Sequence, residues 1–375
     1  MTKVLFAASE AVPFIKTGGL ADVTGSLPKY FDKSKYDVRI ILPKYLCMDG
    51  KFREQLRFKC HFYVNLSWRK QYVGIFEAVC QGITYYFVDN EFYFAGDRPY
   101  HELYQDIEKF AFFSKAVLEA LPFLDFCPDI IHCHDWQTGL IPVFLKTLYG
   151  DEHYYDGIKT VFSIHNLQFQ GRWNLPAVMD ITGLPEQIFT CDKLESYGEA
   201  NYLKGGIVYA DAVTTVSDTY AYEITTEQGG EGLDGLLRAR KDSLYGILNG
   251  LDYQEYDPQK DPYISYHFGT ADFYEGKKEN KKALQRELGL PEREDALLLG
   301  MVSRMTNQKG FDLVAYIMDE LLSTEDVQIA VLGTGQQEYQ DMFCYFAGKY
   351  PDKINVHIGY SEEKHIGSMH PAMRF

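Results

Sequence analysis

The segment Lys16-Thr17-Gly18-Gly19-Leu20-Ala21-Asp22 follows closely on the apolar run Val4-Leu5-Phe6-Ala7-Ala8, and together they decide the fold. The apolar run predicts a buried parallel strand that ends at Ser9 and Glu10. A strand that opens into a paired-glycine loop and then a helix is where open α/β sheets bind ligands, because glycine lets backbone N–H groups approach an anion closely. The same unit also serves simple packing, so spacing alone leaves both interpretations open.

Strand-like runs alternate with helical patterns along almost the whole chain, which is typical of parallel sheets flanked by helices. Three short runs, Phe58–Leu66, Tyr72–Cys80 and Ile83–Val88, resemble an antiparallel insertion. The polar, aperiodic stretch after Leu248 predicts a linker. We therefore predict an α/β protein with two doubly wound, Rossmann-like domains, at residues 1–245 and 286–375, joined by a linker over 246–285. Only three strands are visible in the second domain, so we expect it to be incomplete.

Composition limits the partners. The chain has 37 basic and 53 acidic residues, a formal charge of −16, which argues against nucleic acid or an anionic membrane as the main partner. An anionic ligand must then be held by local positive groups. No N-terminal signal precedes the first strand and no apolar stretch approaches the length of a membrane span, so we expect a cytoplasmic protein. The sequence leaves the oligomeric state open.

The predicted strand Asp129-Ile130-Ile131-His132 runs into Cys133-His134-Asp135-Trp136-Gln137. Alternation along the strand places His132 and His134 on the same face. Two histidines without a partner cluster are too few ligands for a metal, so we predict no metal site and no cofactor.

The strongest chemical pattern is Ser303-Arg304-Met305-Thr306-Asn307-Gln308-Lys309-Gly310. It lies at a strand-to-helix turn and adds two cations to helix N-terminal N–H groups that already favour an anion. The alternative is a solvated turn with surface charges. In the next such turn, Gly333 and Gly335 form a weaker signal for close approach of a nucleotide.

Several of these segments occur together and in the same order in one family. Lys-Thr-Gly-Gly-Leu-Ala-Asp-Val from Lys16, His-Asp-Trp at 134–136, Ile-His-Asn at 164–166 and the Arg304–Lys309 pattern make the chain resemble bacterial glycogen synthases and plant starch synthases. The resemblance implies a retaining glucosyltransferase that lengthens an α-1,4-glucan such as glycogen from ADP-glucose. It also implies that the two domains face each other, as in GT-B enzymes.

The resemblance assigns roles on the glucosyl side of the site. Asp135 becomes an active-site carboxylate, although a helix N-cap for the segment near Thr138 is the alternative. Trp136 becomes a wall of the glucan-facing cleft. His165 is expected to contact the glucosyl group of the donor, with Asn166 beside it.

On the nucleotide side, the resemblance makes Arg304 and Lys309 the clamp on the diphosphate, without a metal ion, and no Asp-x-Asp motif is evident. Tyr360 is implied to stack on adenine. The remaining predicted substrate-binding residues are Lys16, Gly18, Gly19, Asp22 and Gly333, of which Asp22 could serve only to support its loop.

The chain ends before the Glu-Pro-Cys-Gly-Leu segment that the family carries after its Gly-Tyr pair. We therefore expect a C-terminally truncated chain that is inactive or impaired alone. Two other functions stay open at this point. One is a non-catalytic glucan-binding fragment; the other is a different GT-B nucleotide-sugar enzyme, such as a sucrose synthase-like transferase or an epimerase.

Overall fold

The strands of the first 250 residues build one large sheet and one small sheet. The computed structural model describes residues 1–359, and the chain divides into two units, Met1–Gly250 and Leu251–Phe375. The strands of the first unit are β1 (Thr2–Ala7), β2 (Tyr36–Pro43), β3 (Arg57–Leu66), β4 (Arg69–Cys80), β5 (Ile83–Asp89), β6 (Ile130–His134), β7 (Lys159–Ile164), β8 (Arg172–Asn174), β9 (Glu195–Ser196), β10 (Glu199–Asn201), β11 (Ala212–Thr215) and β12 (Leu244–Gly246).

The large sheet has the strand order β12-β11-β7-β6-β1-β2-β5-β4-β3. All pairings from β12 to β5 are parallel, and β4 and β3 are added antiparallel at one edge. The predicted antiparallel arrangement of these three runs is confirmed for the pairs β3–β4 and β4–β5. On its other edge β5 pairs in parallel with β2, which joins the three strands to the rest of the sheet. The small sheet, in the order β8-β10-β9, was not predicted.

Strand β1 lies in the middle of the large sheet, and both of its faces are buried. Leu5 and Ala7 pack into one hydrophobic core, whereas Val4 and Phe6 pack into a second core on the opposite face. A parallel strand covered on both sides reads as a continuous apolar run, which is why the sequence identified it. The helices of this unit are α1 (Gly19–Ser26), α2 (Gly50–Arg53), α3 (Glu91–Phe94), α4 (Leu103–Ala120), α5 (Leu140–Thr147), α6 (Leu175–Thr182), α7 (Tyr202–Tyr209), α8 (Asp218–Glu223) and α9 (Asp234–Ala239).

The second unit contains a parallel three-stranded sheet in the order β13-β14-β15, and its middle strand is buried throughout. Its elements are α10 (Phe273–Glu287), β13 (Leu297–Val302), α11 (Phe311–Thr324), β14 (Val327–Gly333), α12 (Gln337–Lys349) and β15 (Ile354–Ile358). The α/β class is confirmed.

Helix α10 corrects the predicted linker, because it begins inside the stretch 246–285. The helix is rich in Lys and Glu, and only a few of its residues are buried, among them Leu284. Its apolar periodicity was therefore too weak to detect. Across residues 1–359, no helix is both long and apolar enough to cross a bilayer.

Candidate active site

Asp135 stands at the end of β6 in a backbone conformation that few residues adopt. Its φ is 55°, and its Oδ1 accepts the N–H groups of His165 at 2.8 Å and Asn166 at 3.4 Å. The helix N-cap alternative is wrong, because this carboxylate makes no cap hydrogen bond and instead holds the end of the neighbouring strand β7. Backbone strain of this kind costs about 1–3 kcal/mol and concentrates at functional sites. Burial raises the pKa of Asp135, while His165 and the two amides oppose that rise.

His165 follows β7 and is half-buried. Its Nε2 lies 3.0 Å from Nδ1 of His134, a side chain without exposed surface. Burial lowers the pKa of His165, against the opposing charge of Asp135, and lowers that of His134 well below its ordinary value. Both shifts favour the neutral imidazoles, in which a single proton forms the hydrogen bond between the two nitrogens.

His132 belongs to a second hydrogen-bonded chain. Its Nε2 lies 2.7 Å from Oγ of Ser163, which lies 2.5 Å from Oγ1 of Thr214. The rings of His132 and His134 stack with centroids 4.2 Å apart, so the prediction that they share a face is confirmed. Burial lowers the pKa of His132 to about 3. In the described part of the chain, no three His, Cys, Asp or Glu side chains are grouped as metal ligands.

Trp136 packs edge-on against Phe110 and is only 6% exposed, so little of the indole is available as a cleft wall. Gly171 also lies against the indole. A Cβ at Gly171, whose φ is +61°, would lie 2.3 Å from Cε3 of Trp136. Glycine is therefore required there both by conformation and by space. The role of Trp136 toward a glucan stays a prediction.

The Lys16–Asp22 loop is held from beneath by Glu10, a residue that sequence reasoning did not assign. The buried Glu10 carboxylate accepts the N–H and the hydroxyl of Thr17, and the hydroxyl of Tyr100 at 3.0 Å. Burial raises the pKa of Glu10, while the hydrogen bonds from Thr17 and Tyr100 oppose that rise. The only available signal was an acidic residue just after the first apolar run, and Tyr100 gave none.

The Lys16–Asp22 loop leaves free space beside its two glycines. Lys16 Nζ pairs with Asp22 Oδ1 at 2.7 Å, so Asp22 does support the loop. No described atom lies within 4 Å of where a Cβ would stand on Gly18 or Gly19. Packing within the described residues therefore does not require glycine at either position, and the space is available for a ligand near the N-terminus of α1.

In the second unit, Arg304 and Lys309 lie on the loop between β13 and α11, and both are exposed. Within residues 1–359 neither side chain forms an ion pair or hydrogen bond. Met305 forms an isolated parallel β-bridge with Gly335, which places this loop beside the end of β14.

Gly333 and Gly335 lie where any side chain would clash with the backbone. A Cβ at Gly333 would lie 2.1 Å from the carbonyl oxygen of Ser303, and one at Gly335 would lie 2.3 Å from that of Met305. Backbone packing alone therefore demands both glycines, and contact of Gly333 with substrate stays a prediction. Tyr360 lies outside the described residues.

The structure brings the first-unit residues to one edge of the sheet. Strands β1, β6 and β7 are parallel neighbours, so the loop of Lys16 and the residues Asp135 and His165 follow the carboxyl ends of adjacent strands. Open α/β sheets bind ligands at this edge. The three second-unit residues Arg304, Lys309 and Gly333 are grouped separately around the ends of β13 and β14.

Known proteins resemble the chain along almost all its length. The family described as "Starch synthase catalytic domain" matches residues 3–239. The glycogen synthase of Lachnospira eligens is 60% identical over 363 residues, which cover 97% of this chain and 76% of that protein. The glycogen synthase of Lachnoclostridium phytofermentans is 55% identical over 364 residues, with the same coverage.

Among solved structures, the catalytic domain of starch synthase IV from Arabidopsis thaliana, bound to ADP and acarbose, matches with a TM-score of 0.86 at 30% identity. The match covers 99% of this chain and 76% of that one. The fold class is thus that of the GT-B glycosyltransferases. Within that class, the chain belongs to the glycogen synthase and starch synthase family.

Proposed function

We propose that this chain is a glycogen synthase that transfers glucose from ADP-glucose to the non-reducing end of an α-1,4-glucan with retention of configuration. One observation carries the proposal: 60% identity to a protein named glycogen synthase spans 97% of the chain. The ADP and acarbose bound to the starch synthase IV structure support the donor and acceptor classes.

On the glucosyl side, we assign Asp135 and His165 to the sugar. The two backbone amides occupy Oδ1 of Asp135, so Oδ2 is left to accept a sugar hydroxyl. Nδ1 of His165 makes no hydrogen bond within residues 1–359 and is not among the buried unpartnered atoms, so solvent and a ligand can reach it. Both groups are fixed before substrate arrives, which lowers the cost of orienting them.

On the nucleotide side, negative charge grows on the departing diphosphate. We assign Arg304 as a two-pronged donor to phosphate oxygens and Lys309 as a compact charge beside it. Lys16 and the amides of Gly18 and Gly19 are proposed as further phosphate contacts. With retention, the acceptor hydroxyl attacks the face from which the diphosphate leaves, and a departing phosphate oxygen takes its proton.

Titration calorimetry with ADP and with ADP-glucose tests the proposal. The wild-type chain should bind both, and R304A/K309A should lose at least about tenfold in affinity for ADP, since each charge-assisted hydrogen bond contributes about 1.5–3 kcal/mol. The control K282A/R286A removes equal charge from α10 and should bind like the wild type. Unchanged ADP binding by R304A/K309A would contradict the assignment.

Radiolabelled glucose transfer from ADP-glucose to glycogen tests the reaction itself. The expectation that this chain alone is inactive or impaired stays a prediction, and turnover comparable with that of a longer family member would contradict it. Retention of the chain on a glycogen column without any binding of ADP or ADP-glucose would instead favour a glucan-binding module.

A further inference from the structure

His134 is a fully buried side chain that contacts a proposed catalytic residue but has no role so far. Its Nδ1 lies 3.0 Å from Nε2 of His165. Its other nitrogen, Nε2, is buried and has no hydrogen-bond partner among the described residues. One face of its ring stacks on Phe6, with centroids 5.2 Å apart, and the ring also stacks on His132 at 4.2 Å.

In this arrangement the His134 ring does not stabilise a positive charge on His165. A protonated His165 must donate from Nε2 to Nδ1 of His134. His134 would then carry its own proton on Nε2, where no described acceptor is available. A buried N–H without a partner is costly, so the protonated state of His165 is disfavoured through its neighbour.

Among residues 1–359, the other titratable groups that act on this pair are His132 and Asp135. His132 stacks on His134 and disfavours positive charge on that ring. Asp135 acts the other way, but its Oδ1 is engaged by two backbone amides. The net effect is the lowered pKa of His165, in which burial outweighs Asp135.

We propose that His134 is a positioning residue, which holds the His165 ring in one orientation and keeps it an uncharged hydrogen-bonding partner of the substrate. The functional part of this inference rests on the proposed function. Glucosyl transfer builds positive character at the sugar carbon, and a cation beside that carbon would oppose the transition state. A neutral imidazole can still hydrogen-bond a sugar hydroxyl.

NMR titration of the imidazole Cε1–H resonances tests the inference without any ligand. The His165 resonance is the one absent from H165N. In the wild type it should remain that of a neutral ring through and below the ordinary pKa of 6.5. H134D sets a carboxylate acceptor against Nε2 of His165 and should raise the His165 pKa by about one unit or more.

Two further variants separate this role from simple packing. In H134N the amide nitrogen takes the place of Nδ1, so His165 should stay neutral as in the wild type. In the control H132Q the amide nitrogen takes the place of Nε2 toward Ser163, and the His165 titration should not change. Circular dichroism establishes that each variant is folded, and if H134D does not fold, the wild type and H134N decide.

A His165 resonance that titrates near 6.5 in the wild type overturns the inference. So does an H134D variant that is folded but titrates like the wild type. Calorimetry with ADP on the same samples keeps the two proposals apart. A neutral His165 in a chain that binds no ADP contradicts the proposed function alone, whereas ADP binding with a freely titrating His165 contradicts the role of His134 alone.

Discussion

The contact between Gly171 and Trp136 supports a quantitative prediction. The substitution Gly171→Ala places a Cβ 2.3 Å from the indole in a residue whose φ is +61°. The left-handed conformation costs a non-glycine residue about 1–2 kcal/mol. Displacing a packed side chain costs about a further 1–3 kcal/mol. The free energy of unfolding of the first unit should therefore fall by about 2–5 kcal/mol.

Gly157 provides a matched control, because its φ is +82° and no described atom lies within 4 Å of the added Cβ. Gly157→Ala should show only the conformational cost of about 1–2 kcal/mol. Urea denaturation followed by tryptophan fluorescence measures both variants. If Gly171→Ala loses no more stability than Gly157→Ala, the indole is not confined as the structure describes, and the reasoning about Trp136 fails.

Two further substitutions probe the groups that hold the site. Glu10→Gln replaces one acceptor oxygen with an NH₂ group that faces donors from Thr17 or Tyr100, so we expect a loss of about 1–3 kcal/mol in urea denaturation; a variant as stable as the wild type would show that Glu10 does not hold the loop. His132 has a folded-state pKa of about 3 against an ordinary 6.5, so the unfolded chain binds more protons between these values and stability should fall as pH falls below 6.5. His132→Gln should flatten the decline of the urea midpoint with falling pH, and an equally steep decline in both proteins would contradict the assignment.

Much of the fold was readable from local sequence because its signals are local. A helical pattern runs from Leu103 to Ala120 in the sequence, and α4 has the same bounds. The buried strands stand out as apolar runs that end in polar residues. The parallel pairing of β5 with β2 was not readable, because a strand's own pattern does not name its neighbour. Helix α10 was missed because it is rich in charged residues and buries only one large apolar side chain, Leu284.

The residues of the candidate site likewise fall into those visible in local sequence and those that only tertiary contacts reveal. Asp135 and His165 were predicted from motifs at strand ends, and their contact follows from the pairing of β6 with β7. Glu10 and Tyr100 are 90 residues apart, and only the folded chain brings them together. The bond between His134 and His165 likewise depends on the register of two strands. Sequence patterns thus located the edge of the sheet, whereas the groups that orient the site required the tertiary structure.

The crowding at Gly333 and Gly335 bears on how distant relatives are sorted. Each glycine is demanded by a main-chain carbonyl one strand away, so a chain that has lost its enzymatic role but kept its architecture must still retain both. The presence of these two glycines therefore cannot distinguish active enzymes from relatives that have lost their activity. The exposed cations Arg304 and Lys309 make no contact within the described residues that the fold requires. Their loss is therefore the better indication that a relative has lost its activity.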